Sequence, residues 1–135
     1  MKKIDRTMQR INLIDYRVVN ESSQQNYQIV VSDTHEILNA DEDSFKILHK
    51  RKVSFDPEGL YNLMIESEAE FFLKDAEDDV EGSFEYTETY IEENIDNILM
   101  KYSTLFETAS NLVANISASL GRTPIITAPT YIRNN

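Results

Sequence analysis

The chain has 135 residues, with 24 Asp and Glu, 13 Lys and Arg, two His and no Cys or Trp, a length that suits one domain spanning 1–135 around an ordinary hydrophobic core. The lack of cysteine excludes disulfides, thiol nucleophiles, Fe–S clusters and cysteine-held zinc, and a net charge of −11 argues against nucleic acid, whose phosphates need a basic stripe. No window approaches the roughly 18 consecutive apolar residues of a membrane span, and the opening MKKIDRTMQR lacks the apolar stretch of a secretory signal, so the expected location is the cytoplasm, with no membrane insertion.

The acidity is local. Between Glu66 and Asp96 there are 13 acidic residues against one basic, Lys74, which leaves the other 104 residues with about +1. Three Gly and three Pro fall as punctuation at Pro57, Gly59, Gly82, Gly121, Pro124 and Pro129, so the elements between them should be long.

In chain order, Met8–Val19 alternates imperfectly and is rich in β-branched residues, which predicts a strand. Tyr27–Val31 reads as a second, short strand, with the polar ESSQQN as a turn between them. THEILNADED fits a helical turn or a loop. From Phe45 the pattern becomes a β-hairpin: FKILHKRKVSF, the loop DPEGL, then YNLMIESEAEFFL. A loop over Asp56–Leu60 sets Phe55 opposite Tyr61, Val53 opposite Leu63, Ile47 opposite Ala69 and Phe45 opposite Phe71. The other face then pairs Lys50 with Glu66 and Lys46 with Glu70. Apolar pairs on one side and opposite charges on the other each favour the pairing by roughly 0.2–1 kcal/mol.

SFEYTE reads as a further strand, completing an antiparallel sheet of about four strands. One long C-terminal helix follows, because Ile91, Ile95, Ile98, Leu99, Tyr102, Leu105, Phe106, Ala109, Leu112, Val113, Ile116 and Leu120 keep spacings of three and four. Thr89 with Glu92 suits a capping box, Gly121 suits a C-cap, and some 31 residues would make a rod of about 46 Å. Its polar positions from Tyr102 onward are nearly all small and uncharged, among them Ser103, Ser110, Asn111 and Ser117. A solvated face normally carries Lys and Glu pairs, so this face reads as a subunit contact; the alternative is a Ser-rich exposed face.

No catalytic, cofactor or metal constellation emerges. Neither His35 nor His49 has a nucleophile or paired carboxylate at a telling spacing, there is no Gly-rich phosphate loop and no HExxH, and DAEDDVEG lacks the ligand spacing of an EF-hand. A binding protein is expected instead of an enzyme. The run Asp75, Glu77, Asp78, Asp79 and Glu81 reads either as a solvated hairpin tip or as a steering patch for a basic partner. Aromatic residues nearby are core candidates first. Phe71 and Phe72 must point to opposite faces of a strand, however, so Phe72 shares the wet face with Glu66, Glu68 and Glu70. Phe72, Phe84, Tyr86, Tyr131 and Ile132 form the candidate partner-contact set.

The segment NILMKYSTLFETASNLVANISASLGRTPIITAP resembles the end of the bacterial export chaperone SecB and its relatives, through Asn97, Ile98, Leu99, Tyr102, Gly121, Pro124, Ala128 and Pro129. Met100-Lys101 replaces the family's Phe-Pro before the tyrosine, and the second helix and mobile tail with which SecB reaches the translocase motor SecA are not found. The resemblance implies an α+β, SecB-like fold with the sheet packed by the long helix, and a holdase that captures unfolded or extended polypeptides without ATP, in export or beside a toxin–antitoxin pair. It also implies a homo-oligomer, a dimer of dimers, with SecA or an antitoxin as further partners. The competing reading is an acidic interaction or inhibitor protein, for instance a nucleic-acid mimic.

Overall fold

The computed structural model describes residues 1–19, 26–120 and 123–133. Four strands, β1 (Lys2–Val18), β2 (Gln28–Leu38), β3 (Ser44–Asp56) and β4 (Tyr61–Asp75), are followed by three helices, α1 (Glu88–Glu93), α2 (Ile95–Tyr102) and α3 (Leu105–Ser119). The fold is α+β. The sheet is antiparallel throughout, in the order β1-β4-β3-β2, so β1 closes the sheet against the strand furthest from it in sequence.

The β3–β4 hairpin has the register expected from the sequence. Val53 lies opposite Leu63, Ile47 opposite Ala69 and Phe45 opposite Phe71, all buried, and the rings of Phe55 and Tyr61 meet edge-on at 5.0 Å. Lys50 Nζ stands 3.6 Å from Glu66 Oε1 and Lys46 Nζ 3.8 Å from Glu70 Oε2 on the far face. Because the Lys50–Glu66 pair is partly solvated, its coupling is expected to be real but below about 1 kcal/mol. A double-mutant cycle with Lys50→Ala and Glu66→Ala, read from urea midpoints, checks this; zero coupling would reduce the pair to a marker of register.

Both strands ahead of the hairpin are longer than their sequence pattern suggested. β1 starts at Lys2, six residues before the predicted Met8, and two register shifts, at Ile4/Arg6 and Ile11/Leu13, explain why its alternation is imperfect: each bulge inserts an unpaired residue and flips the phase. β2 runs on through Thr34–Leu38, so THEILNADED is half strand and half turn. The turn follows Asn39 in the left-handed region at φ 51° and is closed by Asp41 Oδ1, which accepts from the amides of Asp43 and Ser44. ESSQQN lies almost wholly outside the described residues.

SFEYTE is not a strand. Phe84 makes a single antiparallel bridge with Lys2 on the open edge of β1, with both amide–carbonyl bonds at 2.9 Å, and the chain then turns into α1. The acidic run is therefore a connection between β4 and α1, not a hairpin tip; Gly82 carries its one positive φ, 82°.

The single long helix is also corrected, to three short ones. Asn94 (φ −119°, ψ 20°) ends α1, its side-chain amide donating to Tyr90 O at 2.8 Å. Ser103 is extended (φ −146°, ψ 169°), and its hydroxyl donates at 2.6 Å to Leu99 O, the carbonyl its own amide would have taken in an unbroken helix. Thr104 turns its amide to Gln9 Oε1 on β1 at 3.0 Å. Periodicity survives the breaks because Ile91, Ile95, Ile98, Leu99, Leu105, Phe106, Ala109 and Val113 are all buried against the same sheet. The N-cap is Thr87, whose Oγ1 accepts from Tyr90 N at 3.1 Å, in place of Thr89. The C-cap is Leu120; Gly121 lies outside the described residues.

Two apolar clusters fill the space between sheet and helices. One gathers Phe45, Ile47, Phe71 and Tyr86 with Ile91, Ile95, Leu99 and Phe106. The other gathers Val53, Tyr61, Leu63, Ile65 and Val113. Between them on the same face runs a polar belt of Asp33, His35, His49, Arg51 and Ser67, paired across strands as Asp33 with Arg51, His35 with His49 and His49 with Ser67. Among the described residues no helix is long and apolar enough to cross a membrane.

Candidate functional site

Where the Phe84 bridge turns into α1, three aromatic rings are forced together. Phe84 stacks on Tyr90 with centroids 5.0 Å apart, and Tyr86 stands edge-on to both, at 6.1 and 5.5 Å. With Asn94, Asn97, Ile98, Met100, Lys101 and Tyr102 they line an open cup of about 460 Å³. Tyr86 forms its floor. It is buried, its hydroxyl donates to Gly82 O at 3.1 Å, and burial first, then the neighbouring Tyr102 and Tyr90, pushes its pKa far above the usual phenol value. Phe84 is 40% and Met100 53% exposed, so the walls offer apolar surface to solvent, and exposed Glu85, Glu88 and Glu93 adjoin them in sequence. Adjacent aromatic faces with an unbranched thioether beside them accept varied apolar side chains without strict geometry.

A second apolar surface lies on β1. Ile11, Ile14, Tyr16 and Val18 are paired with Ser67, Ile65, Leu63 and Tyr61 and so point to the helix side of the sheet, but the helices stop short of them. Val18 is 74% exposed and the other three 40–44%.

A third feature is the polar belt with residues 123–133, which run across it as a strap. Arg51, fully buried, grips Asp33 with two bonds of 2.8 Å, and Asp33 Oδ1 also lies 3.0 Å from His49 Nε2, without the alignment of a full hydrogen bond. Burial alone would raise the Asp33 pKa; Arg51, His49 and the Ile132 amide outweigh it and hold the carboxyl below the ordinary value. His35 bridges the strap to α1, with Nδ1 2.7 Å from the Tyr131 hydroxyl and Nε2 2.8 Å from Glu92. Arg133 covers the Tyr131 ring and reaches Asp96 at 2.9 Å.

The structure divides the candidate residues from the sequence. Phe84 and Tyr86 meet in the cup, joined by Asn97, Ile98 and Tyr102 of the resemblance motif; Leu99 is buried behind them. Phe72 is elsewhere, half-buried on the far face with the Arg6 guanidinium 4.1 Å above its ring. Tyr131 and Ile132 belong to the strap, as do exposed Pro124, Ala128 and Pro129. The small polar residues of the helix also separate. Ser103, Ser110 and Ser117 spend their hydroxyls inside the chain, on Leu99 O, Thr127 O and Val113 O. Ser117 is fully buried and accepts the Ile125 amide as well, so it presents nothing to a second subunit. Asn111 remains exposed. Sequence reasoning missed Tyr90 and Met100, which the helical pattern hid, and missed Asp33 and Arg51, whose meeting depends on the full length of β2.

No family model matches the chain, and no curated protein matches it in sequence. Solved structures do match. The Mycobacterium tuberculosis Rv1957 SecB-like chaperone, in complex with a ChAD peptide from the Rv1956 HigA1 antitoxin, superposes with a TM-score of 0.66 at 13% identity, over 94% of this chain and 89% of that one. A protein of unknown function from Streptococcus agalactiae matches with a TM-score of 0.50 at 12% identity, over 95% and 98% of the two chains.

Proposed function

From its SecB-like fold, we propose that this protein is a chaperone of the holdase type, binding extended segments of non-native polypeptide at the aromatic cup without nucleotide or covalent chemistry. The observation that carries the reading is the cup itself: stacked rings left open to solvent at a place where the core could have covered them. The acidic turn 75–81 runs directly into Phe84 and would draw in basic stretches of a client before the apolar contacts form. Service to an antitoxin and export through SecA are two finer forms of this reading. The peptide-bound state of the mycobacterial neighbour favours the first. We extend the reading to assembly: the open apolar stripe of β1 joins copies of the chain into a homo-oligomer.

The test is binding of a reduced, carboxymethylated polypeptide, followed by fluorescence anisotropy across a salt series. Apolar capture should persist at 0.3 M salt, where the screening length is about 6 Å, whereas an acidic nucleic-acid mimic should lose nearly all affinity. Phe84→Glu should weaken binding at least about tenfold, near 1.4 kcal/mol, with little change in melting temperature because the ring stands at the surface. Binding that vanishes with salt, or that ignores Phe84→Glu, would transfer the function to the acidic surface.

A further inference from the structure

A buried ion pair is a poor way to stabilise a small protein, since the cost of withdrawing two charges from water commonly offsets their attraction. What Asp33 and Arg51 do supply is direction. Arg51 donates to Ala128 O at 2.9 Å and to Thr130 O at 2.7 Å. Asp33 Oδ2 accepts from the Ile132 amide at 2.7 Å, and the Asp33 amide donates to Ile132 O at 2.8 Å. All four bonds reach main-chain atoms, at the alternate residues 128, 130 and 132 of a strap that bends at Pro129 and Thr130, the two-residue spacing with which one side of a strand presents its main chain. The pair meets Thr127 through its side chain, with Oγ1 3.0 Å from Arg51, and His35 beside it meets the Tyr131 hydroxyl. The last of those four main-chain bonds lies on the free edge of β2, which borders the sheet, and strand addition at an edge is a general mode of peptide recognition.

We propose that this cleft is a second polypeptide-binding site, one that reads extended main chain and is filled in cis by residues 127–132, so that a segment of a partner polypeptide and the strap exchange on it. For the kind of ligand this rests on the function proposed above; the site is separate from the cup. The charges are then placed where they are because they hold main-chain donors and acceptors of any sequence. Exchange is feasible because the strap's end clasp, Arg133 to Asp96, joins two substantially exposed side chains and residues 128–130 are themselves exposed.

The probe is a fluorescent peptide with the sequence of residues 123–133, added to the full chain. Wild type, with its strap seated, should bind it weakly. Ile132→Pro removes the amide that Asp33 accepts, loosens the strap, and should raise affinity for the peptide at least tenfold, while a peptide that itself carries Ile132→Pro should bind at least tenfold less well. A second measurement needs no variant: hydrogen exchange of wild type saturated with reduced, carboxymethylated polypeptide. Displacement predicts at least tenfold faster exchange at the Ile132 amide with the Asp33 amide still protected, because the newcomer accepts from it; simple local opening would expose both. Equal peptide binding by wild type and Ile132→Pro, or an Ile132 amide that stays protected with client bound, would overturn the proposal. A client that does not bind at all defeats only the function proposed above, and the peptide comparison then decides the strap.

Discussion

Replacing Arg51 with leucine is expected to lower unfolding free energy by about 3–5 kcal/mol, the range for removing one member of a buried ion pair. The carboxylate of Asp33 would remain buried without its guanidinium partner, and the carbonyls of Ala128 and Thr130 would lose their donor. The joint change Asp33→Leu with Arg51→Leu should recover part of the loss, because no uncompensated charge is left behind, yet the strap should still exchange its amides faster than in wild type. Urea denaturation with hydrogen exchange separates the two effects. The same pair fixes an acid limit. Since the folded Asp33 carboxyl sits below its ordinary value, its contribution is complete above the unfolded pKa of about 3.9 and disappears as pH falls through the lower folded value. Melting temperature should therefore fall more steeply below about pH 4 in wild type than in the double leucine variant; parallel curves would show that other carboxylates govern acid unfolding.

Ile14→Asp combined with Val18→Asp is expected to convert the proposed homo-oligomer to a species of 15.6 kDa in light scattering at micromolar concentration. Ile11, Ile14, Tyr16 and Val18 lie on the core side of the sheet beyond the reach of the helices, and a contiguous apolar surface of that kind marks an interface. Both substituted side chains are substantially exposed in the single chain, so its fold should be preserved while two charges per copy face each other across the contact. Ser110→Arg or Ser117→Arg, which the helical pattern would suggest for the same purpose, would instead strike the strap and the interior, because their hydroxyls serve Thr127 and Val113. A wild-type protein of monomer mass would remove the assembly reading.

What could be read from the sequence was local. The hairpin from Phe45 to Phe71 was legible residue by residue because one turn ties its two strands and a period of two ties its faces. The helical region was legible as a stripe, but Asn94 and Ser103 could not be recognised as breaks: polar residues are ordinary on a helix, and it is the hydroxyl of Ser103 on Leu99 O, with Gln9 drawing away the next amide, that ends the run. β1 was blurred by its two bulges. The aromatic cup was half visible, as Phe84 and Tyr86, while Tyr90 and Met100 looked like helix filling. The Asp33–Arg51 belt was the least legible of all, since each of its members is unremarkable in its own segment and their meeting is fixed only by pairing over the whole of β2 and β3.

The order β1-β4-β3-β2 has a consequence for how the chain is made. β1 is synthesised before β2, β3 and β4, yet among the described residues the strand it pairs with is β4, which begins at Tyr61. At about 5–20 residues per second, the ribosome releases β1 several seconds before β4 is complete, with β2 and β3 emerging in between. During that interval Ile11, Leu13, Ile14 and Tyr16 travel as an unpaired apolar strand, the kind of segment that seeks another edge. Lys2, Lys3, Arg6, Arg10 and Arg17 flank them, and charge of this kind is what opposes edge-to-edge pairing until β4 arrives.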